Sequence, residues 1–522
     1  MHDFLNDPLI PIRDLDDVGV SVALPDVLAR LAGRGVADFP GLAAHQRQAW
    51  YQVLVQLAAI ALDRGGLETP PQDGAIWHDL LAALSPGVAD SAWSLVVEAP
   101  TRPALFQPPA PEGSLDGYGL LGETPDAIDM LITAKDHDVK RTRMGAAEPH
   151  HWLYALVTLQ TQQGFLGAGN YGIARMNGGF ASRVMMDTVP APDWSARFGS
   201  GVRLLLEQRH QDSEFPFRPD DGQALLWLEP WNGEDSLSLE DLDPHFIEVC
   251  RRVRLVRPKG ASGPIVAWGR TTRAARIAAK QYTGAVGDPW IPVDQKGAAL
   301  TVGAGGFHYR KLAEILYSAE YGPPPALTPR PGAEWLLCQV LVRGQGKTDG
   351  LYERTLPFPV KHQDALSRRD HPKRATLHRL AQHMIEDAGK TKRALKLGLV
   401  VQLSGGFPAD PAKRLKLDDD RADGWLESLD RRIDEQFFRH LWELADAEAE
   451  TLDEERAETA WRAWHEALKL AAQALFEQAL DQMPAPSARR ERARAHAATA
   501  FWGALYKALD RLPRSQDSET AA

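Results

Sequence analysis

A glycine-rich segment between Gly164 and Gly179 is the part of the chain best suited to approach a ligand closely. Its central residues are Gly164, Phe165, Gly167, Gly169 and Asn170. Glycine has no Cβ, so the backbone comes close to a bound group, and Asn170, Arg175 and Asn177 add polar groups that suit phosphates or base edges. A tight loop between two structural elements explains the same residues equally well.

The segment Arg251–Lys280 is locally basic, although the whole chain carries a net charge of −11. It contains no acid, and its basic residues are Arg251, Arg252, Arg254, Arg257, Lys259, Arg270, Arg273, Arg276 and Lys280. Such a stripe serves phosphates even on an acidic protein. A solvated face whose cations pair with acids elsewhere is the alternative, and charge alone does not separate the two.

The sequence Arg343–Thr348 ends in Gly-Lys-Thr, as a phosphate-binding P-loop does. Leu341 stands where that motif needs its first glycine, and no helix is predicted to follow. Asp349-Gly350 instead predicts a turn that leads into a second strand, Leu351–Val360. We therefore expect a β-hairpin, either with an ordinary polar turn or with a protruding polar residue at its tip.

Histidine and acidic residues cluster at Asp136-His137-Asp138 and at Glu148–His151, but no third and fourth ligand follow at metal-binding spacing. We expect no metal and no cofactor. Lys140, Arg141 and Arg143 lie between the two clusters and form a short basic loop. No hydrolase or protease signature is present.

Composition places the 522-residue chain among globular proteins, with 44% apolar and 25% charged residues. Two separated cysteines suit a reducing cytoplasm and argue against a disulfide framework. The start of the chain has no signal-peptide pattern. Residues 151–174 carry no charge, but their glutamines and glycines argue against a membrane span.

The predicted elements give an α+β fold, with a large mixed N-terminal domain over residues 1–365. A helix is expected over Ala44–Leu62. Residues 366–513 are expected to form a four-helix bundle with short connections, and residues 514–522 a disordered tail. The four helices of the bundle are expected to begin near Pro372, Asp423, Thr451 and Ser487. Gly389 is a possible break in the first of them.

Several of these pieces, in this order, resemble the CasA family, the large subunit of the type I-E CRISPR Cascade complex. The resemblance covers the opening Leu5–Ile12, the glycine segment, the run Gly287–Pro292, the hairpin Arg343–Arg354, and two helices of the bundle. The bundle pieces are Glu435–Arg439 and Leu475–Gln478. No single motif is highly specific, but their order and spacing together are.

The resemblance implies a non-catalytic subunit that binds CRISPR RNA and double-stranded target DNA. It implies recognition of the protospacer-adjacent motif (PAM) from the minor groove, duplex opening for R-loop formation, and contact with the displaced strand. The implied protein partners are the small subunit, the backbone subunits, the 5′-handle-binding subunit and the helicase–nuclease. The alternatives from other classes are a P-loop-like NTPase that uses Lys347 and Thr348, and a scaffold that binds only proteins.

The resemblance also assigns roles to residues. The glycine segment at Gly164–Asn170 falls where the family approaches the minor groove. The candidates for the groove-reading cation are Arg273, Arg276 and Lys280. The candidates for the duplex wedge are Gln345, Gly346, Lys347 and Thr348. The loop expected at the RNA handle contains Lys135, His137, Lys140, Arg141 and Arg143.

Overall fold

The computed structural model combines helices with several small sheets, which confirms the predicted α+β class. The structure describes residues 2–130, 147–162, 172, 183–211, 213–258, 263–272, 286–344, 347–408, 420–449, 454–483 and 489–511. The chain divides into two compact units. We call Met1–Phe307 with Ala319–Arg369 the mixed unit, and His308–Ser318 with Asp370–Ala522 the helical unit.

The mixed unit contains helices and all the strands of the described residues. Its helices are α1 (Leu24–Ala32), α2 (Arg47–Arg64), α3 (Gly74–Ala83), α4 (Ala89–Ala92), α5 (Pro149–Gln162), α6 (Trp194–Arg209) and α8 (Val360–Gln363). Helix α2 contains most of the helix predicted over Ala44–Leu62.

The strands form small sheets. They are β1 (Ile10–Arg13), β2 (Gly19–Val22), β3 (Gly119–Gly122), β4 (Met185–Val189), β5 (Gln223–Leu225), β6 (Leu242–Ile247), β7 (Arg252–Val256), β8 (Val266–Arg270), β9 (Val293–Asp294), β10 (Tyr321–Gly322), β11 (Trp335–Gly344) and β12 (Lys347–Pro357). Two of the sheets have three strands, in the orders β12-β11-β4 and β3-β8-β7.

Helices α2 and α5 form the centre of the mixed unit because nearly every side chain on them is buried. A helix that is apolar on all sides belongs inside a core, and the glutamines on α2 are accommodated there by hydrogen bonds. Gln56, for example, donates to the carbonyls of His245 and Phe246 at 3.0 and 3.1 Å. No helix among the described residues is long and apolar enough to cross a membrane.

The helical unit contains α7 (Tyr309–Tyr317), α9 (Pro372–Leu403), α10 (Asp423–Ala449), α11 (Glu454–Gln482) and α12 (Arg490–Ala508). Helix α9 begins at Pro372, as predicted, and continues unbroken through Gly389. Further along α9, Gly398 lies against the rings of Phe476 and Phe501, which stack at 4.2 Å. Helix α7 belongs to this unit because Tyr309 packs on Phe437 and the Tyr317 hydroxyl accepts a hydrogen bond from Trp442.

Candidate nucleic-acid interface

Strands β11 and β12 form the predicted hairpin, but its turn lies elsewhere than the Asp-Gly pair. The ladder continues to Gly344 opposite Lys347, and only positions 345 and 346 lie between these two residues in the sequence. Asp349 is the extra residue of a β-bulge, because Val342 pairs with Gly350 and Arg343 pairs with Thr348. Gly350 has a φ of +156°, which favours glycine at the bulge. The expected turn at Asp349-Gly350 is therefore wrong, because the two strands remain paired beyond it as far as Gly344 and Lys347.

Two of the wedge candidates lie on strand β12 itself. Lys347 begins the strand, and the Thr348 hydroxyl donates a hydrogen bond of 3.0 Å to the carbonyl of the buried Met130. A P-loop needs its Lys and Thr at the start of a helix, where N–H groups face the phosphates. The strand at Lys347–Pro357 contradicts that hypothesis.

The two ends of the glycine-rich segment are held together by hydrogen bonds. The backbone N–H of Arg183 donates to the carbonyl of Gln162 at 3.3 Å. Gln48 of α2 donates to the Arg183 carbonyl at 2.8 Å, and Gln162 donates to the side chain of Gln52 at 2.7 Å. Gln162 and Arg183, which flank residues 163–182 in the sequence, therefore lie together on the buried surface of α2.

A buried ion pair joins this place to the end of the basic segment. Arg183 Nε donates to Asp288 Oδ2 at 2.6 Å, and their side chains are 2% and 0% exposed. The guanidinium of Arg183 also lies 5.1 Å from the centre of the Trp290 ring. Asp288 follows closely on residues 273–285, which contain Arg273, Arg276 and Lys280. Sequence reasoning did not single out Arg183, and only the run Gly287–Pro292 hinted at Asp288.

In the sheet β12-β11-β4, the far end of the β11–β12 hairpin and the start of β4 lie toward the same end. Strand β4 is antiparallel to β11, with Val189 opposite Trp335 and Met185 opposite Gln339. Strand β11 continues past Gln339 to the hairpin tip, and the glycine-rich segment precedes β4 in the chain. The hairpin tip and the exit of the glycine-rich segment are therefore at the same end of the sheet.

The first half of the basic stripe is not a free surface. Arg251, Arg252 and Arg254 are each 8% exposed or less. Arg252 pairs with Glu112 at 2.8 Å, and Arg254 donates to main-chain carbonyls, including that of Arg102 at 3.0 Å. Burial lowers the pKa of Arg254 to about 10. Neither alternative from the sequence, a phosphate-binding stripe or a solvated face, describes these three arginines, because β7 is buried and its arginines stabilise neighbouring loops.

Arg270, further along the stripe, is also paired, since it contacts Glu112 at 3.1 Å. Within the described residues, no group of His, Cys, Asp or Glu side chains is arranged to hold a metal. His150 and His151 lie with their rings 4.0 Å apart. Burial, together with the nearby His151, lowers the pKa of His150 to about 4.

A family model described as CRISPR-associated protein Cse1 matches residues 3–475. The chain belongs to the Cse1 family. Cse1, or CasA, is a family of non-catalytic subunits of the type I-E Cascade complex. The resemblance noted from the motifs is therefore confirmed. A search of curated proteins finds no match to this chain.

Solved Cse1 structures have the same fold. The Cse1 crystal structure from Acidimicrobium ferrooxidans matches with a TM-score of 0.62 and 15% identity over 98% of this chain and 99% of that one. CasA from Thermus thermophilus matches with a TM-score of 0.58 and 16% identity, over 97% and 99% of the two chains. Cse1 from Thermobifida fusca matches with a TM-score of 0.61 and 15% identity, over 98% of each chain.

Most residues with a predicted Cse1 role lie outside the described residues, while the residues that anchor their segments lie within them. Those outside are Gly164, Phe165, Gly167, Gly169, Asn170, Arg273, Arg276, Lys280, Gln345, Gly346, Lys135, His137, Lys140, Arg141 and Arg143. The anchored ends at Met130, Gln162, Arg183 and Asp288 are thus the described part of the candidate interface.

Proposed function

We propose that this chain is the target-recognising large subunit of a type I-E surveillance complex, in which it reads the PAM from the minor groove and opens the duplex. One observation supports this most directly: the hairpin tip and the exit of the glycine-rich segment leave the same end of the β12-β11-β4 sheet. A groove reader and a wedge must act on neighbouring base pairs, so they need this proximity.

Groove reading falls to the glycine-rich segment. A narrow minor groove leaves little room for side chains, and Gly164, Gly167 and Gly169 bring backbone N–H groups to the base edges, with Asn170 as an amide donor. Arg273, Arg276 and Lys280 supply the positive charge, because the arginines earlier in the stripe are buried and paired. The Arg183–Asp288 pair ties the ends of both segments together.

Gln345 is the wedge in this proposal. It follows the last paired residue of β11, Gly344, in the sequence, whereas Thr348 is already bonded to the Met130 carbonyl. Separating a base step costs about a few kcal/mol, so the wedge depends on the groove contacts to offset that cost.

The remaining roles are assigned to other segments. The loop containing Lys135, His137, Lys140, Arg141 and Arg143 contacts the CRISPR RNA handle, next to the small, backbone and handle-binding subunits. The helical unit holds the displaced strand and receives the helicase–nuclease. The chain itself catalyses no reaction and acts in the cytoplasm.

The wedge is tested by Gln345→Ala in the complex assembled with its operon partners and CRISPR RNA. We expect duplex opening, followed by 2-aminopurine fluorescence beside the PAM, to slow at least about tenfold, with little loss of initial duplex binding. Gln211→Ala is the matched control, because Gln211 is exposed and distant in sequence from the hairpin. Duplex opening at the wild-type rate in Gln345→Ala would contradict the assignment of Gln345 as the wedge.

Groove reading is tested by replacing Arg273, Arg276 and Lys280 with glutamate together. We expect weaker duplex binding and a shallower dependence of log K on log salt, by about 0.9 for each phosphate that these side chains neutralise in the wild type. A complex that assembles normally and keeps the same affinity and salt slope would instead favour the protein-only scaffold.

A further inference from the structure

One side of helix α12, in the helical unit, combines positive charge with accessible aromatic rings. Residues spaced three or four positions apart share a side of a helix, and on this side they are Arg489, Arg492, His496, Thr499, Gly503 and Lys507. All six are exposed or partly exposed. The opposite side of the helix is buried and consists mainly of Ala493, Ala497, Phe501 and Leu505. We call the first side the exposed face of α12.

Four cations at and beside the exposed face of α12 are available to a ligand. Their side chains are exposed and form no ion pair or hydrogen bond within the described part of the chain, and they are Arg489, Arg490, Arg492 and Lys507. Arg494, by contrast, is paired with Asp481 at 2.9 Å. The same stretch has two exposed acids, Glu491 and Asp510, so its unpaired cations outnumber its acids two to one. The excess of positive charge favours an anionic ligand.

An exposed aromatic ring lies beside these cations. Helix α9 ends at Leu403, and Gly405 and Gly406 follow with φ of +74° and +105°, a conformation that ends a helix and favours glycine. Phe407 then packs on His496, with ring centres 5.5 Å apart, and remains 41% exposed. A Cβ on Gly406 would lie 2.9 Å from His496 Nδ1, so glycine is also needed for this close approach. The ring is therefore held against α12 while much of its surface stays open to solvent.

His496 adds a hydrogen-bond donor at the same place. The backbone N–H of Phe407 donates to His496 Nδ1 at 3.0 Å, so Nε2 carries the hydrogen of the neutral ring. Within the described residues Nε2 has no hydrogen-bond partner, and it is not buried. This donor is therefore free to contact a phosphate or a base edge.

A second aromatic pair lies further along α12. Trp502 and Tyr506 are one turn apart and stack with ring centres 5.7 Å apart and planes inclined by 27°. Both residues are partly exposed, and Trp502 Nε1 and the Tyr506 hydroxyl are neither buried nor hydrogen-bonded within the described residues. Ten positions separate His496 from Tyr506, which corresponds to about 15 Å along the helix. The helix thus presents two aromatic pairs in succession, with cations at both ends.

We propose that the exposed face of α12, together with Phe407, binds single-stranded DNA and that this DNA is the displaced strand. Aromatic side chains stack on bases of any sequence, and cations beside them neutralise the phosphates. The choice of the displaced strand rests on the proposed function, in which the helical unit holds that strand. The proposal deepens that role by naming the side chains that make the contacts.

The length and composition of this face suit a nucleic-acid strand better than a protein helix. From Arg489 to Lys507 the face extends about 27 Å, the length of about eight nucleotides of a stacked strand at roughly 3.4 Å each. Within its described residues, α12 exposes no Leu, Ile, Val or Met side chain. An amphipathic partner helix needs such apolar anchors, whereas stacked bases need only the rings.

Photo-crosslinking tests the proposal with the full chain and a single-stranded DNA oligonucleotide that carries 5-iodouracil. The tryptic peptide 397–413 contains Phe407 and no other aromatic side chain, so mass spectrometry assigns a crosslink there to the site. We expect this crosslink in the wild type. Replacing Arg489 and Arg492 together by alanine should reduce its yield at least about fivefold, because the phosphates lose two cations.

The matched control removes the same charge from the mixed unit. Arg30 and Arg203 are exposed there, and replacing both by alanine should leave the yield of the Phe407 crosslink unchanged. Because all four arginines are exposed, we expect both double variants to fold as the wild type does.

The opposing outcomes are equally defined. A crosslinked chain with an unmodified 397–413 peptide, or equal yields with and without Arg489 and Arg492, overturns the proposal. Polyglutamate that suppresses the crosslink as well as unlabelled DNA of equal charge also overturns it and identifies an acidic protein surface as the occupant. An RNA strand of the same sequence that crosslinks more efficiently than DNA overturns the choice of the displaced strand and identifies CRISPR RNA as the source. The assay contains no PAM duplex, so its failure is distinguishable from a failure of Gln345→Ala to slow duplex opening.

Discussion

His150 links the stability of the mixed unit to pH through a single side chain. It packs against Gly41 and Pro11 at the start of α5, where a Cβ on Gly41 would lie 2.7 Å from the imidazole. Burial leaves little room for the hydrated, charged form, and the neighbouring His151 opposes it further. The pKa of His150 is therefore about 4, below its usual value of 6.5.

We expect the stability that depends on neutral His150 to be complete above pH 6.5 and to decline as the pH falls toward 4. The unfolded chain binds a proton in that interval that the folded chain does not. His150→Gln should therefore lose less stability than the wild type between pH 7 and pH 5, as measured by thermal unfolding. The control His78→Gln, at a side chain that is 39% exposed, should follow the wild type; identical curves for all three would contradict the assignment.

The buried arginines show what a residue-by-residue interpretation of the sequence misses. Arg252 and Arg254 alternate with Val253 and Leu255 on β7, and all four are buried. An interpretation that counts charges along the sequence assumes that each arginine is exposed, because burying an unpaired charge costs free energy. Here Glu112, far away in sequence, pairs with Arg252, and no local pattern reveals that partner.

At the level of elements, helix α9 contains two glycines with opposite surroundings. A Cβ at Gly389 would meet only Arg393 Nη1, at an ordinary distance of 3.7 Å. A Cβ at Gly398 would lie 2.8 Å from atoms of both Phe476 and Phe501. The break considered possible at Gly389 does not occur, because tertiary packing of the helix outweighs a propensity cost of about 1 kcal/mol.

Alanine at these two positions should therefore have effects of opposite sign. Gly389→Ala should stabilise the helical unit by about 0.5–1 kcal/mol, because alanine has the better helix propensity. Gly398→Ala should destabilise it by about 1–3 kcal/mol through overpacking. Urea unfolding followed by circular dichroism measures both, and effects of the same sign would show that α9 packs differently.

The hairpin was predictable as an element and not in its register. The apolar, β-rich run Trp335–Val342 and the glycines and prolines around residues 335–360 indicate two strands. Asp-Gly is the usual signal for a tight turn, yet here it forms a bulge, since the ladder continues to Gly344 and Lys347. Register depends on which side chains fit the core, and Val340, Leu341 and Val342 are all buried.

For the whole molecule, the α+β class and the helices of the C-terminal region were predictable because their periodicity and caps are local signals. Helix α7 was not predicted to join them. It precedes the hairpin in the chain, yet Leu312, Ile315 and Leu316 are buried and Arg374 of α9 donates to the Ile315 carbonyl. Such an assignment depends on contacts between residues far apart in sequence.

A chain that ends at Arg369 should therefore be poorly behaved, because α7 would keep its apolar side chains without the helices that cover them. We expect aggregation in size-exclusion chromatography. A control chain that also ends at Arg369, but has a flexible Gly-Ser linker in place of residues 308–318, should elute as a monomer. Equal behaviour of the two would show that α7 does not need α9 and α10.

The hydrogen bond between Gln162 and Arg183, and the bonds that hold both residues to α2, bear on how freely the segment between them can change in length. With both ends of residues 163–182 fixed, closing the segment costs conformational entropy that grows only with the logarithm of its length. Each doubling adds about 0.6 kcal/mol. Insertions between these anchors are thus thermodynamically cheap, and the anchors tolerate length changes in the segment proposed to contact the DNA. Evolution can lengthen this segment while the core beneath it stays the same.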